Sequence, residues 1–206
     1  MNEILRLFPT LSSQQVSQYE ALYDLYTSWN AKINVISRKD IEHLYEHHVL
    51  HSLAIAHELH PTPGTEILDV GTGGGFPGIP LAILWPQCRF HRLDGTGTKI
   101  TGVREVASAI GLENVRASHI RCEEERGKYD FVVSRAVMPL PDLAKMVRKN
   151  ISTRPRNSIG NGIFCLKGGD VTAETAPFRH LVEVTPLSEW MKGDWFKEKY
   201  LIYLPL

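Results

Sequence analysis

From Ser12 to Asn30, apolar residues recur at three- and four-residue spacing. Val16, Tyr19, Leu22, Tyr23, Tyr26 and Trp29 share one side, which predicts a one-sided helix. Ser12 followed by Gln15 fits a capping box at its start. A second helix is predicted from Asp40, as N-cap, to about Leu59, with Ile41, Leu44, Tyr45, His48, Val49, Leu53 and Ala56 inward. Pro61-Thr62-Pro63-Gly64 stops it. Residues 1–60 are therefore expected to form an N-terminal helical extension, and residues 61–206 the main domain.

Beyond the prolines the pattern changes to short apolar runs. They fall at Glu66–Val70, Arg89–Asp94, Val115–His119, Asp130–Ser134, Gly162–Lys167, Leu181–Val184 and Lys199–Leu204. Helical spacing fits between most of them, at Ile79–Leu84, Lys99–Ile110, Leu140–Asn150 and Thr172–Arg179. Strands alternating with helices predict an α/β fold with a mostly parallel, seven-stranded sheet. The link Thr185–Glu198 holds Pro186 and Gly193 and is short for a helical crossover, so the last strand is expected to be antiparallel. Ser152–Gly162, rich in Ser, Asn, Arg, Pro and Gly, reads as a mobile loop.

Composition adds limits. The 206 residues are 43% hydrophobic and 22% charged, as in ordinary globular proteins. No apolar run approaches the roughly 18–20 residues of a membrane span, and the first ten residues lack the pattern of a secretory signal. Cys88, Cys122 and Cys165 are widely spaced with no CxxC pair, as expected of reduced thiols in a cytoplasmic protein. The net charge of zero conceals an asymmetry. Residues 1–66 hold 4 basic and 8 acidic residues, so the remainder holds 19 and 15. Between 145 and 167 stand Lys145, Arg148, Lys149, Arg154, Arg156 and Lys167 with no acid, a candidate grip for a polyanion.

The strongest chemical signal follows the first predicted strand: Asp69-Val70-Gly71-Thr72-Gly73-Gly74-Gly75-Phe76-Pro77-Gly78. Glycines are needed where backbone takes positive φ or approaches a ligand, and in an α/β sheet such a turn lies where ligands bind. Gly73 to Gly78 satisfies GxGxxG, the dinucleotide fingerprint, which would make a nicotinamide-dependent oxidoreductase. Asp69 to Gly75 satisfies D-x-G-x-G-x-G, the pattern of S-adenosyl-L-methionine-dependent methyltransferases, and an acid at the strand end suits a cationic methyl donor. Asp94, ending the second strand, suits ribose hydroxyls in either class. Cys122 and Glu123 could reach an adenine, and Arg135 ends the fourth strand where catalytic side chains sit. Lys99 and Lys167 are candidate contacts to a nucleic acid.

Other chemistry is argued by elimination. An Asp/Asn-Pro-Pro-aromatic motif for amino-group methylation is missing, and no cysteine follows a proline as carbon-5 pyrimidine chemistry requires. A ring nitrogen already offers a lone pair, so transfer there needs position more than a general base. A non-catalytic module that binds cofactor or RNA would look the same. His43, His47, His48, His51, His57 and His60 cluster at partly helical spacing, but no obvious carboxylate or cysteine completes a metal set, so no metal is expected.

The segments Asp69 to Leu81, Val133-Ser134-Arg135-Ala136 and Leu166-Lys167-Gly168, with Asn34-Val35-Ile36-Ser37-Arg38 and His48 to Leu53, resemble the ribosomal RNA small-subunit methyltransferase G family. The resemblance runs in order from about Leu22 to Leu204. It implies a class I, Rossmann-like methyltransferase fold, S-adenosyl-L-methionine as donor, and methylation of N7 of a guanine in 16S ribosomal RNA. The methyltransferase domain would then be residues 61–206, acting as a cytoplasmic monomer on 16S rRNA or a small-subunit precursor. It implies cofactor contacts from Gly71, Phe76, Cys122, Glu123 and Arg135, beside Asp69, Gly73 and Asp94 from the motif itself, and makes His48 a substrate-side candidate. The chain departs from the family's pattern at Gly95–Gly102, at His51 where many relatives carry Asp, and in the basic Ser152–Gly162 insertion.

Overall fold

The computed structural model describes residues 1–37 and 39–206; Arg38, part of the resembling segment 34–38, lies outside them. Its elements are α1 (Asn2–Leu7), α2 (Ser13–Lys32), a helical run containing α3 (His51–Leu53), β1 (Glu66–Val70), α4 (Gly78–Leu84), β2 (Arg89–Leu93), α5 (Gly97–Ala109), β3 (Val115–Ser118), β4 (Phe131–Arg135), α6 (Leu140–Val147), β5 (Gly162–Gly168), α7 (Thr172–Thr175), β6 (Glu183–Pro186) and β7 (Lys199–Pro205). The seven strands are ordered β3-β2-β1-β4-β5-β7-β6. All pairs are parallel except those of β7, which runs antiparallel to both β5 and β6. The chain leaves β1 toward β2 and β3, then returns to place β4 on the other side. That reversal opens a crevice at the carboxyl ends of β1 and β4, where ligands bind in such sheets.

Period-two alternation assigns the strand side chains to two faces. Ile67, Phe131, Val133, Phe164, Leu166, Leu201 and Tyr203 share one buried layer with residues of α2, the helical run containing α3, α4, α5 and the segment before β7. Leu68, Val70, Val132, Ile163, Cys165, Ile202 and Leu204 pack under α6. The front helices have no separate core: Ile4, Tyr19, Leu22, Tyr26, Leu44, Val49 and Leu53 belong to the first layer. Ser12 caps α2 through the predicted box, and the Tyr19 hydroxyl donates to Pro80 O at 2.8 Å, pinning α2 on α4.

The second predicted helix is helical but irregular. Ile41–His43 is 3-10, Leu44–Leu50 is a π-helix, His51–Leu53 is α and Ala54–His57 is 3-10 again. Asp40 makes no capping bond; its carboxylate is turned onto His47 and His48 instead. The edge strand β6 starts two residues later than predicted, because Leu181 and Val182 N–H close a turn on Phe178 O, leaving Leu181 exposed. The Ser152–Gly162 loop is tied down. Asn157 Oδ1 accepts from Thr62 N–H at 2.8 Å, and Asn161 Nδ2 donates to the Ser152 and Arg154 carbonyls.

Candidate active site

The glycine turn is built on Asp69. This residue is fully buried at the end of β1, and its Oδ2 accepts from Thr72 Oγ1 at 2.7 Å and Gly78 N–H at 2.9 Å. One carboxylate oxygen thus folds the loop back and starts α4. Burial pushes the Asp69 carboxyl up to about 6, with the Arg92 guanidinium opposing. Arg92 is its register partner on β2, equally buried, with Nε 4.0 Å from Asp69 Oδ2 and no side-chain hydrogen-bond partner among the described residues. Gly78 passes directly over this pair, so a Cβ there would strike Asp69 Oδ2 and Arg92 Nε. Asp69 therefore lies beneath the loop and shapes it.

Gly71 turns the chain out of β1 with φ +67°, and a Cβ on it would lie 2.6 Å from Val137 Cγ2. Both facts select glycine. Gly73 N–H donates to Asp94 Oδ2 at 2.9 Å, while Asp94 Oδ1 accepts from Thr96 N–H at 2.8 Å. A carboxylate has about four acceptor positions, so Asp94 retains capacity for a ligand. Tyr26 donates its hydroxyl to Gly74 O at 2.6 Å, so α2 helps hold the loop. The 33–37 segment sits over the same glycine, with Val35 O where a Gly74 Cβ would come within 2.9 Å.

A pocket of about 330 Å³ opens at the carboxyl ends of β1 and β2. It brings together Gly71, Asp94, Cys122 and Glu123, with Leu93, Val137, Met138 and Met146 giving apolar walls. Cys122 is buried, and burial lifts its thiol to about 11, so it packs as a neutral group. Glu123 is exposed at the rim. A larger cleft of about 1,130 Å³ lies at the amino ends of β1 and β2, lined by Glu66 and Arg89, and contains none of the sequence-predicted site residues.

A second group adjoins the glycine loop. Arg135, at the end of β4, donates to His47 O at 3.1 Å and to His48 Nδ1 at 2.9 Å, and its guanidinium lies 5.2 Å from the Phe76 ring centroid. His48 Nε2 donates to Asp40 Oδ2 at 2.5 Å. Burial and the neighbouring Arg135 charge lower His48 to about 4, so it is neutral near pH 7. Burial also lowers Arg135, to about 10, which leaves it protonated. Phe76 stands between Tyr26, at 5.0 Å, and His48, at 5.2 Å, and the Phe76–Pro77 peptide is cis. Ala136 takes the left-handed region at φ +50°, turning the chain sharply after Arg135.

The predicted residues thus fall into two neighbouring groups: Gly71, Gly73, Asp94, Cys122 and Glu123 at the pocket, and Phe76, Arg135 and His48 beside it, with Asp69 underneath. Lys167 is paired with Glu174 at 2.9 Å and donates to the carbonyl of Met138 on the pocket wall, and Lys99 lies half-buried in the first turn of α5. The basic stretch is partly spent internally. Lys149 Nζ donates to the Cys122, Glu123 and Glu125 carbonyls, and Arg156 lies 3.5 Å from Asp130. Lys145, Arg148 and Arg154 remain exposed without an ion pair among the described residues. Sequence reasoning missed Asp40, Arg92, Tyr26 and Val137. Asp40 was legible only as a cap, and Arg92 only as a strand residue.

Comparison with known proteins gives this geometry its context. The model of the family described as rRNA small subunit methyltransferase G matches residues 15–189. The ribosomal RNA small subunit methyltransferase G of Bacteroides thetaiotaomicron is 57% identical over 203 residues, covering 98% of both chains. That of Flavobacterium psychrophilum is 50% identical over 206 residues, covering 100% of this chain and 98% of its own. Among solved structures, a ribosomal protein L11 methylase from Lactobacillus delbrueckii subsp. bulgaricus shares the fold at a TM-score of 0.55 and 16% identity over 76% of each chain. A fibrillarin/Nop5p complex chain does so at 0.56 and 9%, covering 76% and 79%. The class I methyltransferase fold, the glycine turn on Asp69 and the full-length likeness agree, and the chain belongs to the rRNA small subunit methyltransferase G family.

Proposed function

We propose that the protein transfers a methyl group from S-adenosyl-L-methionine to N7 of a guanine in 16S ribosomal RNA. The observation that carries this reading is the pocket joining Gly71, Asp94, Cys122 and Glu123 at the strand ends, in a chain of this family. Its volume falls in the range of roughly 300–1,000 Å³ common for ligand sites. Its chemistry suits the donor: glycine backbone where a side chain would intrude, a carboxylate for hydroxyls, and an apolar wall with a rim acid for a purine. The nicotinamide-dependent alternative has no support from family membership, and neither does a module without catalysis.

When bound, the cofactor supplies a sulfonium-activated methyl group. Gly71 and Gly73 hold the turn open, Asp94 and Glu123 offer acceptors, and Cys122 packs. Asp69 fixes the loop from below. Arg135 uses two of its five N–H donors on His47 and His48, leaving three for substrate or cofactor. Guanine N7 carries its own lone pair, so no residue need remove a proton and the task is alignment. His48, neutral and tied to Asp40, holds the guanidinium without adding a second positive charge near a base that gains one.

The reading extends to a cytoplasmic monomer without a metal; no helix among the described residues is long and apolar enough to cross a membrane. Lys145, Arg148 and Arg154 supply phosphate contacts, with Lys99 toward the RNA side. Transfer of labelled methyl groups from the donor to small ribosomal subunits or 16S RNA tests it. Incorporation that depends on Arg135 is expected; calorimetric binding of NAD without S-adenosylhomocysteine binding would overturn it.

A further inference from the structure

Beside Arg135 lies a column of rings that the proposed chemistry does not use. His47 stacks on Trp195 with centroids 4.3 Å apart and planes 11° from parallel. His43 stacks on His47 at 4.6 Å and 25°. Trp195 is braced edge-on by His51 at 5.0 Å and Phe196 at 5.1 Å, and Lys199 Nζ lies 4.5 Å from its centroid. Asp40 holds His47 Nδ1 at 2.5 Å, which fixes the ring's rotation. The column rests on a braced base and ends in His43, which is exposed. It also adjoins the site directly, because the carbonyl of His47 is the one that accepts from Arg135.

We propose that this column is a stacking platform for an unpaired base of the RNA next to the methylated guanine, with the base lying on His43. The inference rests on the RNA substrate proposed above. An A-form helix hides N7 in a deep, narrow groove that side chains cannot enter, so the target has to be unpaired or drawn out of its stack. Its neighbour then loses a stacking partner. A flat aromatic surface beside Arg135 replaces that partner, and RNA readers use histidine in this way. Lys199, close to Trp195, adds a cation near the backbone. The ligating atoms of His43, Glu46 and His47 also lie within 4.8 Å of one another, so a divalent metal is the competing occupant. Stacking is favoured because an ion has to lie close to the plane of each imidazole that ligates it, and the stacked His43 and His47 rings, with centroids 4.6 Å apart and planes 25° apart, share no such point within bonding distance.

The test uses the full chain with S-adenosylhomocysteine and a 16S RNA transcript, comparing wild type, His43→Ala and His43→Phe. Base stacking on an aromatic is worth about 1–3 kcal/mol. His43→Ala should therefore weaken RNA binding between about 5-fold and about 150-fold. His43→Phe should bind within about threefold of wild type, since it keeps a ring, and S-adenosylhomocysteine affinity should be the same in all three. RNA binding by His43→Ala equal to wild type overturns the platform, as does His43→Phe as weak as His43→Ala. A zinc titration that saturates wild type at one equivalent and fails with His43→Phe also overturns it, in favour of a metal. These failures leave methyl transfer by the wild type intact. Wild type that neither binds RNA nor methylates it removes the functional reading as well.

Discussion

Arg135 on β4 donates to His48 Nδ1 at 2.9 Å, across 87 positions of sequence, and so joins the carboxyl end of the sheet to the irregular front helix. His48 passes the connection to Asp40 through its other ring nitrogen. The carboxylate fixes the tautomer, the imidazole fixes the guanidinium, and the guanidinium faces Phe76. Asp40→Ala should therefore lower kcat about tenfold or more while leaving donor affinity within a few-fold, since Asp40 is not among the residues lining the pocket. Steady-state kinetics check this, and Asp40→Asn, which still accepts a hydrogen bond, should recover part of the loss. Equal kinetics for Asp40→Ala and wild type would show that the chain of bonds has no positioning role.

The Asp69–Arg92 pair under the loop yields a stability prediction. Removing one member of a buried ion pair strands the other charge and typically costs about 3–5 kcal/mol. Arg92→Met should lower urea-unfolding stability by about that much. Adding Asp69→Asn to it should restore part of the loss, because the stranded charge is then gone. An Arg92→Met variant as stable as wild type would mean that the two groups do not interact across their 4.0 Å separation.

At Gly71 two penalties coincide. A non-glycine residue in the left-handed region costs roughly 1–2 kcal/mol, and a Cβ also meets Val137. Gly71→Ala should abolish measurable S-adenosylhomocysteine binding in calorimetry while the protein still folds. Val137→Ala in the same chain should return some of the binding by removing the contact, though not the backbone cost. No recovery in the double variant would place the whole defect in the φ angle.

The buried histidines predict an acid-sensitive fold. His48 and His91 titrate at about 4 in the native chain against an ordinary 6.5, chiefly through burial, and burial also puts His51 well below its ordinary value. Their contribution is complete above pH 6.5 and is lost as pH falls toward 4. Asp69 acts in the opposite sense, since its carboxyl is raised to about 6 and it favours the native state on acidification. The histidines outnumber it, so unfolding takes up protons near pH 5, and stability should drop by about 1.4 kcal/mol per pH unit for each net proton. Urea titrations between pH 4.5 and 7.5 measure this slope; a flat profile would contradict the assignment of neutral buried imidazoles.

The basic stretch divides by what its cations touch. Lys149 is occupied by three carbonyls of the turn after β3, whereas Lys145 and Arg148 face solvent. Lys145→Ala with Arg148→Ala should reduce the salt dependence of RNA binding by roughly 0.7 per lost phosphate contact on single strands. Lys149→Met should lower stability and leave that slope unchanged. The reverse pattern would move the RNA contact to Lys149.

Much of this fold is legible in sequence because strands that are buried on both faces read as continuous apolar runs, and the glycine turn is a local pattern. Six of the seven strands start and end within one residue of the predicted limits, including edge strand β3, which is only partly buried. Edge strand β6 is the exception, since the apolar pair Leu181-Val182 reads as the start of a strand but closes a turn on Phe178 O, with Leu181 exposed. The pocket was legible at Gly71 and Asp94, each directly after a strand, and at Cys122 and Glu123 in the turn that follows β3. Asp40, Arg92 and Trp195 were not, because their roles depend on partners 7 to 148 positions away. Nothing local distinguishes an Asp that caps a helix from one turned onto two histidines by a π-helical turn.

Methyl transfer to a guanine ring nitrogen of 16S RNA can be read at the nucleoside itself. The most direct measurement is nucleoside mass spectrometry of 16S RNA after incubation with the purified protein and S-adenosyl-L-methionine, with the modified position mapped. The expected product is 7-methylguanosine at a single site, absent with Gly71→Ala. No methylated nucleoside, or a methyl group on an exocyclic amine or a pyrimidine carbon, would contradict it.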